Sequence, residues 1–438
     1  MDKLIPSLYK NYGKYVNQFR SFPLNTDGLK PVERRVLLSA YQVARDKFVK
    51  SVKVDGHTLG NYHPHSSAYG TIVQLVNNNF LDGQGNYGSN VGTKKEKAAA
   101  PRYTECKLSK KTLDLSFKLI NYVDWVESEL ENEPEYLPTM FPFCLLGTEA
   151  CQGIGFGYRT FIPSYTIKDL YKRLLWLIGK TKTKPIIKPI TDCEILSSDL
   201  ELDEILTTGK GNISIKGILQ TDLSNYKVTL KSWAPDKLYE SIRKKISKYF
   251  DNQDIGEIDL SSNETRIVFE VIKQRNKDKI FEKFVEDLQR IINGNISYIC
   301  TVVDNEGNVK VISVDDLLLN TYNMYTKINE KMLQQEIDKN NEIIKEYRYL
   351  EKLRPFLSKH LKNITNDIDI IINSLSKDTN IEYEIIKNLF SKHKINKLLT
   401  LNTDQTVLNK RIYDLETNLK DINSYVLEQY KGIIKINE

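Results

Sequence analysis

Lys97–Leu108 reads KAAAPRYTECKL and places one tyrosine, Tyr103, directly after Arg102 in an alanine-rich run. A phenol beside a guanidinium suits attack on phosphorus. The oxygen supplies the nucleophile, and the cation offsets charge that builds in the transition state. With twenty-five tyrosines in 438 residues, this pair alone decides nothing. Three upstream stretches give it context. Arg20–Pro31 reads RSFPLNTDGLKP, Tyr62–His65 reads YHPH, and Asp82–Ser89 reads DGQGNYGS.

The charge around these stretches is uneven. The whole chain carries a net +6. Asp27 to Lys111 holds fourteen Lys/Arg and seven Asp/Glu, a net +7, so the remainder sums to −1. A positive excess confined to the motif-bearing segment is the footprint expected of a nucleic-acid-binding module. The five cysteines, Cys106, Cys144, Cys151, Cys193 and Cys300, form no CxxC pair, and their number is odd. They read as buried free thiols in a reducing compartment. The N-terminus lacks the apolar core of a signal peptide, and no run approaches the roughly 18 apolar residues of a membrane span. The reading is a cytoplasmic protein with no membrane partner.

Length predicts about two to four domains. Residues 1–26 read as an arm. Pro31 opens a helix, with Val32, Val36, Leu37, Ala40, Tyr41 and Ala44 at helical spacing. A second short helix is expected after Gly56, and a third from Ser66–Ser67 through Ile72, Val73 and Val76. Three short helices with a basic face suggest a helix-turn-helix or winged-helix module. Residues 80–95 read as loop or wing, Leu108–Val126 as amphipathic, and Asp124–Glu135 as a solvated acidic loop. The glycines of 138–163 suit tight turns or a close approach of backbone to a ligand. From 164 to 325 the texture is α+β, with strands at Val228–Ser232 and Arg266–Glu270 and helices at Pro235–Tyr249 and Lys279–Ile292. Leu206–Ile213, LTTGKGNI, is too short for a phosphate-binding loop. Beyond 326 the chain reads as helical. Leu408, Ile412, Leu415, Leu419, Ile422 and Val426 form a heptad seam. Ile337 and Ile344 lie in an earlier helix, Ile328–Leu353, that can pair with it. Pro355 is expected to end that helix.

The four motif stretches, in this order, resemble the breakage–reunion subunit of type IIA DNA topoisomerases: the A subunits of gyrase and topoisomerase IV, and most of all the short phage subunits. LTTGKGNI is similar to a turn in that family's tower domain. The resemblance implies an α+β multidomain fold: an arm over 1–26, a winged-helix DNA-gate domain over 27–163, and an α/β tower domain over 164–325. A long antiparallel coiled coil would follow over 326–438, bearing a small helical exit-gate domain at about 356–400. It implies cleavage of one duplex through a pair of phosphotyrosines while a second duplex passes. It also implies a homodimer on double-stranded DNA, joined by a gyrase B-like partner subunit. Mg2+ and ATP would be bound by that partner, with no metal held by this chain. The sequence ends at Glu438 without a counterpart of the DNA-wrapping β-pinwheel. The expectation is therefore ATP-driven relaxation and decatenation without net negative supercoiling.

Residue by residue, the resemblance places Tyr103 as nucleophile, with Arg102 and Arg20 stabilising the transition state. His65 would relay the phenolic proton or hold the scissile phosphate, beside His63. Lys30, Arg34 and Arg35 would hold phosphates, which sets position rather than sequence. Ser67 takes the place of a drug-contacting serine, with Gly70 where an acid is common. Ile162, before Pro163, would wedge between base pairs and bend the duplex. From another class comes the rival reading, a non-catalytic DNA-bending or decoy module on the same scaffold. A stand-alone nuclease fails for want of metal ligands.

Overall fold

A computed structural model describes residues 4–89, 91–128, 130–262, 264–360, 368–393 and 395–437. The chain forms two compact units, residues 1–325 with 430–438, and residues 326–429.

The first unit opens with the helix Leu4–Val16, which passes into a π-helical turn, Asn17–Ser21. Helix Pro31–Val43 follows, with proline at its first position as the sequence predicts. Val36, Leu37 and Ala40 are fully buried on its inner face. The next helix, Ser51–Asn61, begins before Gly56 rather than after it. Gly56 faces open space, so the helix runs through it at a small local cost. Helix Tyr69–Asn77 starts just beyond Ser66–Ser67 and buries Ile72 and Leu75. A three-stranded antiparallel sheet, ordered Val49–Lys50, Glu105–Leu108, Leu81–Gln84, packs beside these helices.

Leu108–Val126 is broken rather than one amphipathic element. It gives the helix Lys110–Ser116, a 3-10 turn Ile120–Tyr122 and a short strand Trp125–Val126. That strand pairs with Glu133–Pro134, so part of the expected acidic loop is a hairpin.

A five-stranded sheet is ordered Cys151–Ile154, Arg159–Ile162, Gly294–Ile299, Lys210–Lys216, Glu194–Ile195. Its strands come from both sides of residue 163, with Phe161 opposite Ile299. The expected division at 163 therefore falls beside a continuous sheet. In LTTGKGNI, Gly209 (φ 75°) turns the helix Asp199–Thr208 into the strand Lys210–Lys216. A Cβ there would collide with the Ile312 carbonyl. A second sheet, ordered Leu219–Asp222, Lys227–Leu230, Ile267–Val271, Ile255–Asp259, buries Val228, Leu230, Phe269 and Val271 against helices Tyr239–Lys245 and Lys277–Ile292. The stretch expected as one helix, Pro235–Tyr249, is two short ones, Tyr239–Lys245 and Ser247–Asp251.

In the second unit, Leu408, Leu415 and Leu419 pack around Ile337, Ile344 and Ile412 as the seam predicts. The seam is interrupted at Asp421, between helices Thr406–Lys420 and Ile422–Asn437. The long helix, Val314–His360, starts well before Ile328 and continues through Pro355. Proline removes one N–H near the helix end. Leu357, beyond the proline, is buried with Leu350, Leu353, Ile372 and Leu375, and this packing outweighs the break. Among the described residues no helix is long and apolar enough to cross a membrane.

Candidate functional site

Tyr103 sits on a turn just ahead of the strand Glu105–Leu108, its N–H donating to the Ala100 carbonyl at 2.9 Å. Its side chain is 64% exposed, far from the usual burial of tyrosine in a folded core. The Arg102 guanidinium lies over its ring at 4.7 Å, a cation–π contact that keeps cation and phenol together. The turn is held by its neighbours. The Tyr69 hydroxyl donates to the Ala99 carbonyl at 2.6 Å and meets Thr104 Oγ1 at 3.0 Å. Thr104 donates to Ser51 Oγ at 2.8 Å, and Ser51 meets the Tyr87 hydroxyl at 2.8 Å. Tyr87 donates in turn to the Glu105 carbonyl at 2.9 Å. This run of hydroxyls braces the chain on both sides of Tyr103. The DGQGNYGS stretch serves the same end. Gly85 (φ 102°) lets its backbone pass within a Cβ's reach, 3.2 Å, of the Tyr103 carbonyl. The Asn86 carbonyl accepts from Ala99 N–H at 2.9 Å.

The other predicted residues fall into different settings. Arg20, in the π-helical turn, is exposed, with its guanidinium over the Tyr15 ring at 5.6 Å. His63 and His65 meet edge to face at 5.0 Å, and His63 Nδ1 lies 3.3 Å from Arg35. Ser67 is exposed, yet its hydroxyl donates to Asp55 at 2.8 Å, next to the Ala68 N–H bond to the same carboxylate at 2.7 Å. That pairing anchors the start of helix Tyr69–Asn77. Gly70 faces open space.

Arg34, expected to hold phosphate, is turned inward onto Asp27. Arg34 is buried and bonds Asp27 through Nε at 2.7 Å and Nη2 at 3.0 Å. Asp27 is 0% exposed and also accepts from Leu29 N–H and Leu137 N–H, both at 3.0 Å. The TDGLKP stretch is thus a buried ionic hub, in which Arg34 neutralises Asp27. Arg35 is taken up by Glu133 in two bonds of 2.8 Å. Glu133 is the residue that gives the acidic hairpin a structural purpose. Lys30 donates to the Gln152 carbonyl at 2.6 Å. Ile162, expected as the wedge, is 0% exposed inside its sheet.

Two features escaped the sequence reading. On the same hairpin as Ile162, Ile154 is 86% exposed. Its place beside Gly153 and Gly155 was the available signal. Lys94, Lys95 and Lys97 are all exposed shortly before Arg102, and their clustering was legible in KKEK. The nearby Gly92–Thr93 backbone is tied down by Asp259, which accepts from Thr93 N–H at 2.8 Å and Oγ1 at 2.7 Å. Partial burial works to raise the Asp259 pKa, but hydrogen bonds from Ser261 and Thr93 outweigh it and hold the carboxyl at about 2.

Residues 20–437 match the model of the DNA gyrase/topoisomerase IV A-subunit family. The chain belongs to that family. It is similar to the DNA gyrase A subunit of Buchnera aphidicola subsp. Acyrthosiphon pisum (strain APS), at 27% identity over 473 residues, covering 99% of this chain and 54% of the relative. The DNA topoisomerase 4 A subunit of Escherichia coli (strain K12) is 34% identical over 232 residues, 48% of this chain and 30% of the relative. The DNA gyrase A subunit of Neisseria gonorrhoeae is 35% identical over 190 residues, 40% of this chain and 20% of the relative. The chain spans about half or less of the length of these relatives.

Among the described residues, no group of three or more His, Cys, Asp or Glu could hold a metal ion. Asp82, in the DGQGNYGS stretch, pairs with Lys107 at 3.3 Å. Among the described residues, the donor set does not fit the magnesium ion that the resemblance implies. All five cysteines are free, and four are buried. Burial pushes the Cys151 and Cys300 thiols up to about 12, which leaves little nucleophilic thiolate.

Proposed function

We propose that the chain is the DNA cleavage–religation subunit of an ATP-dependent type IIA DNA topoisomerase, an isomerase of DNA topology. The carrying observation is Tyr103, exposed on a braced turn with the Arg102 guanidinium against its ring. A tyrosine held out to solvent by so many neighbours needs a role outside the core. In the proposed step the Tyr103 oxygen forms a bond to a backbone phosphorus as the bond to the adjoining 3′-oxygen breaks. The product is a 5′-phosphotyrosyl end and a free 3′-hydroxyl, and attack by that hydroxyl reverses the step. The exchange of one phosphate ester for another conserves bond energy, which suits a transient break. Arg102 and Arg20 would stabilise the developing charge, and His65 would take the phenolic proton.

The wedge is assigned to Ile154, whose side chain is almost wholly exposed on the hairpin Cys151–Ile162. An apolar side chain so displayed can insert at a base step and bend the duplex. Phosphate contact is assigned to Lys94, Lys95 and Lys97 rather than to Arg34. The first unit would supply the DNA gate and tower, and the second the coiled coil with its exit-gate knob. The assembly would be a homodimer on double-stranded DNA in the cytoplasm, with a gyrase B-like partner that binds ATP and Mg2+.

The test is Tyr103→Phe in the reconstituted holoenzyme. The variant keeps the ring and its Arg102 contact, so DNA binding should remain near wild type while denaturant-stable DNA attachment vanishes. A covalent adduct that persists in Tyr103→Phe would overturn the assignment.

A further inference from the structure

Asn17 is the first residue of the π-helical turn that carries Arg20. Its side chain is buried, although it belongs to the arm and not to a core element. The carboxamide grips one distant residue at two points. Nδ2 donates to the Phe156 carbonyl at 3.0 Å, and Oδ1 accepts from the Phe156 N–H at 2.7 Å. Both backbone groups of Phe156 are thereby satisfied by a single side chain, as a neighbouring strand would satisfy them. Phe156 sits at the tip of the hairpin, two residues past Ile154.

The surrounding glycines are explained by the same contact. A Cβ at Gly155 would strike Asn17 Oδ1 and the Phe22 ring, and one at Gly153 would strike the Ser21 carbonyl. These glycines admit the arm. Neither a tight turn nor an approach to DNA is needed to account for them. On the other side, a Cβ placed on Gly13 would lie 3.3 Å from the Phe156 Cβ, and the rings of Tyr9 and Tyr12 lie edge-on to Phe156 at 5.4 and 5.8 Å. Gln18 of the same turn donates to the Gly307 carbonyl, which pins the turn from a second direction. π-helical turns are rare and collect at functional sites.

We propose that Asn17 is a positioning residue that joins the Ile154 hairpin and the Arg20 turn into one body, coupling duplex bending to cleavage. The proposal rests on reading the chain as the cleaving subunit. With the grip intact, seating Ile154 in a bent duplex sets the Arg20 turn at the same time. With the grip lost, each part relaxes independently. Such misplacement of groups that do not themselves react is costly to a step that demands alignment.

The experiment uses the full-length chain with its partner subunit. Bending is read by energy transfer between labels at the two duplex ends, and cleavage by the rate of denaturant-stable adduct formation. Asn17→Ala should lessen the bend and slow adduct formation by roughly ten- to a hundredfold. Asn17→Asp keeps the acceptor for the Phe156 N–H but loses the donor, so it should fall between wild type and Asn17→Ala. The losses should not add: in an Ile154→Ala background, Asn17→Ala should reduce the bend no further. A residue that merely supports the fold would lower the melting temperature and add its effect in full. Should Asn17→Ala fail to fold, the same pair of measurements on Asn17→Asp decides the matter. Wild-type bending and adduct rate in the Asn17 variants, or full additivity with Ile154→Ala, would overturn the proposal. A wild-type chain that forms no adduct at all would instead sink the underlying reading, and the control lane shows which has failed.

Discussion

Two basic segments of the first unit, 27–35 and 94–103, look alike in sequence and differ completely in structure. In the first, Arg34 faces inward onto Asp27, and Arg35 is closed by Glu133. In the second, Lys94, Lys95, Lys97 and Arg102 are all exposed in the stretch that leads to Tyr103. One segment commits its two arginines to internal carboxylates, and the other leaves its cations exposed. The lesson is that cationic residues mark a nucleic-acid surface only once internal partners have been counted. Burying an ion without its partner is expensive, so a paired arginine is held in place by the carboxylate it neutralises.

The comparison breaks most easily at its extremes. Arg34→Ala should cost about 3–5 kcal/mol, because it leaves Asp27 buried and uncompensated. Arg102→Ala should leave the melting temperature near wild type and suppress adduct formation. If thermal melts show the reverse pattern, the two segments have been assigned the wrong way round. The two isoleucines of the hairpin offer a second pair. Ile162→Ala should destabilise by about 2–5 kcal/mol through the cavity it leaves. Ile154→Ala should leave stability nearly unchanged and reduce the bend measured by energy transfer. A bend unaffected by Ile154→Ala would remove the wedge from this hairpin.

A smaller effect is expected from the lysines. Replacing Lys94, Lys95 and Lys97 with alanine should weaken binding across all duplex sequences and flatten the dependence of log K on log salt by about 1 per lysine. An unchanged salt slope would mean that these lysines touch no phosphate. The smallest effect concerns Asp259. Its folded pKa is depressed, so its grip on Thr93 is fully present above the ordinary carboxylate range and is lost as pH falls through about 2. Amide exchange at Gly92 and Thr93 should therefore be insensitive to protonation near neutrality. Asp259→Asn should speed that exchange at pH values above about 2, and equal rates in both proteins near neutrality would show that the tie is inert.

The seam of the second unit was legible because a repeat of seven residues specifies which face is covered without reference to distant chain. The same logic failed at Pro355. There a local rule met Leu357, whose burial among Ile372 and Leu375 belongs to residues that the local sequence does not contain. Nor could it tell Ile162 from Ile154, since two isoleucines on one hairpin carry no mark of which faces the core.

The sequence by itself determined the family, the tyrosine with its neighbouring arginine, and the basic balance of the segment around them. These are statements about order and composition along the chain, and the motifs contain them entirely. Only the tertiary structure decided which cations are free, which isoleucine is displayed, and that Asn17 holds Phe156. Each of those depends on a partner far away in sequence: Asp27 with Leu137, Arg35 with Glu133, Ile162 within a sheet that reaches residue 299. Exposure and pairing are properties of what folding brings alongside a residue, and no local stretch of sequence records them.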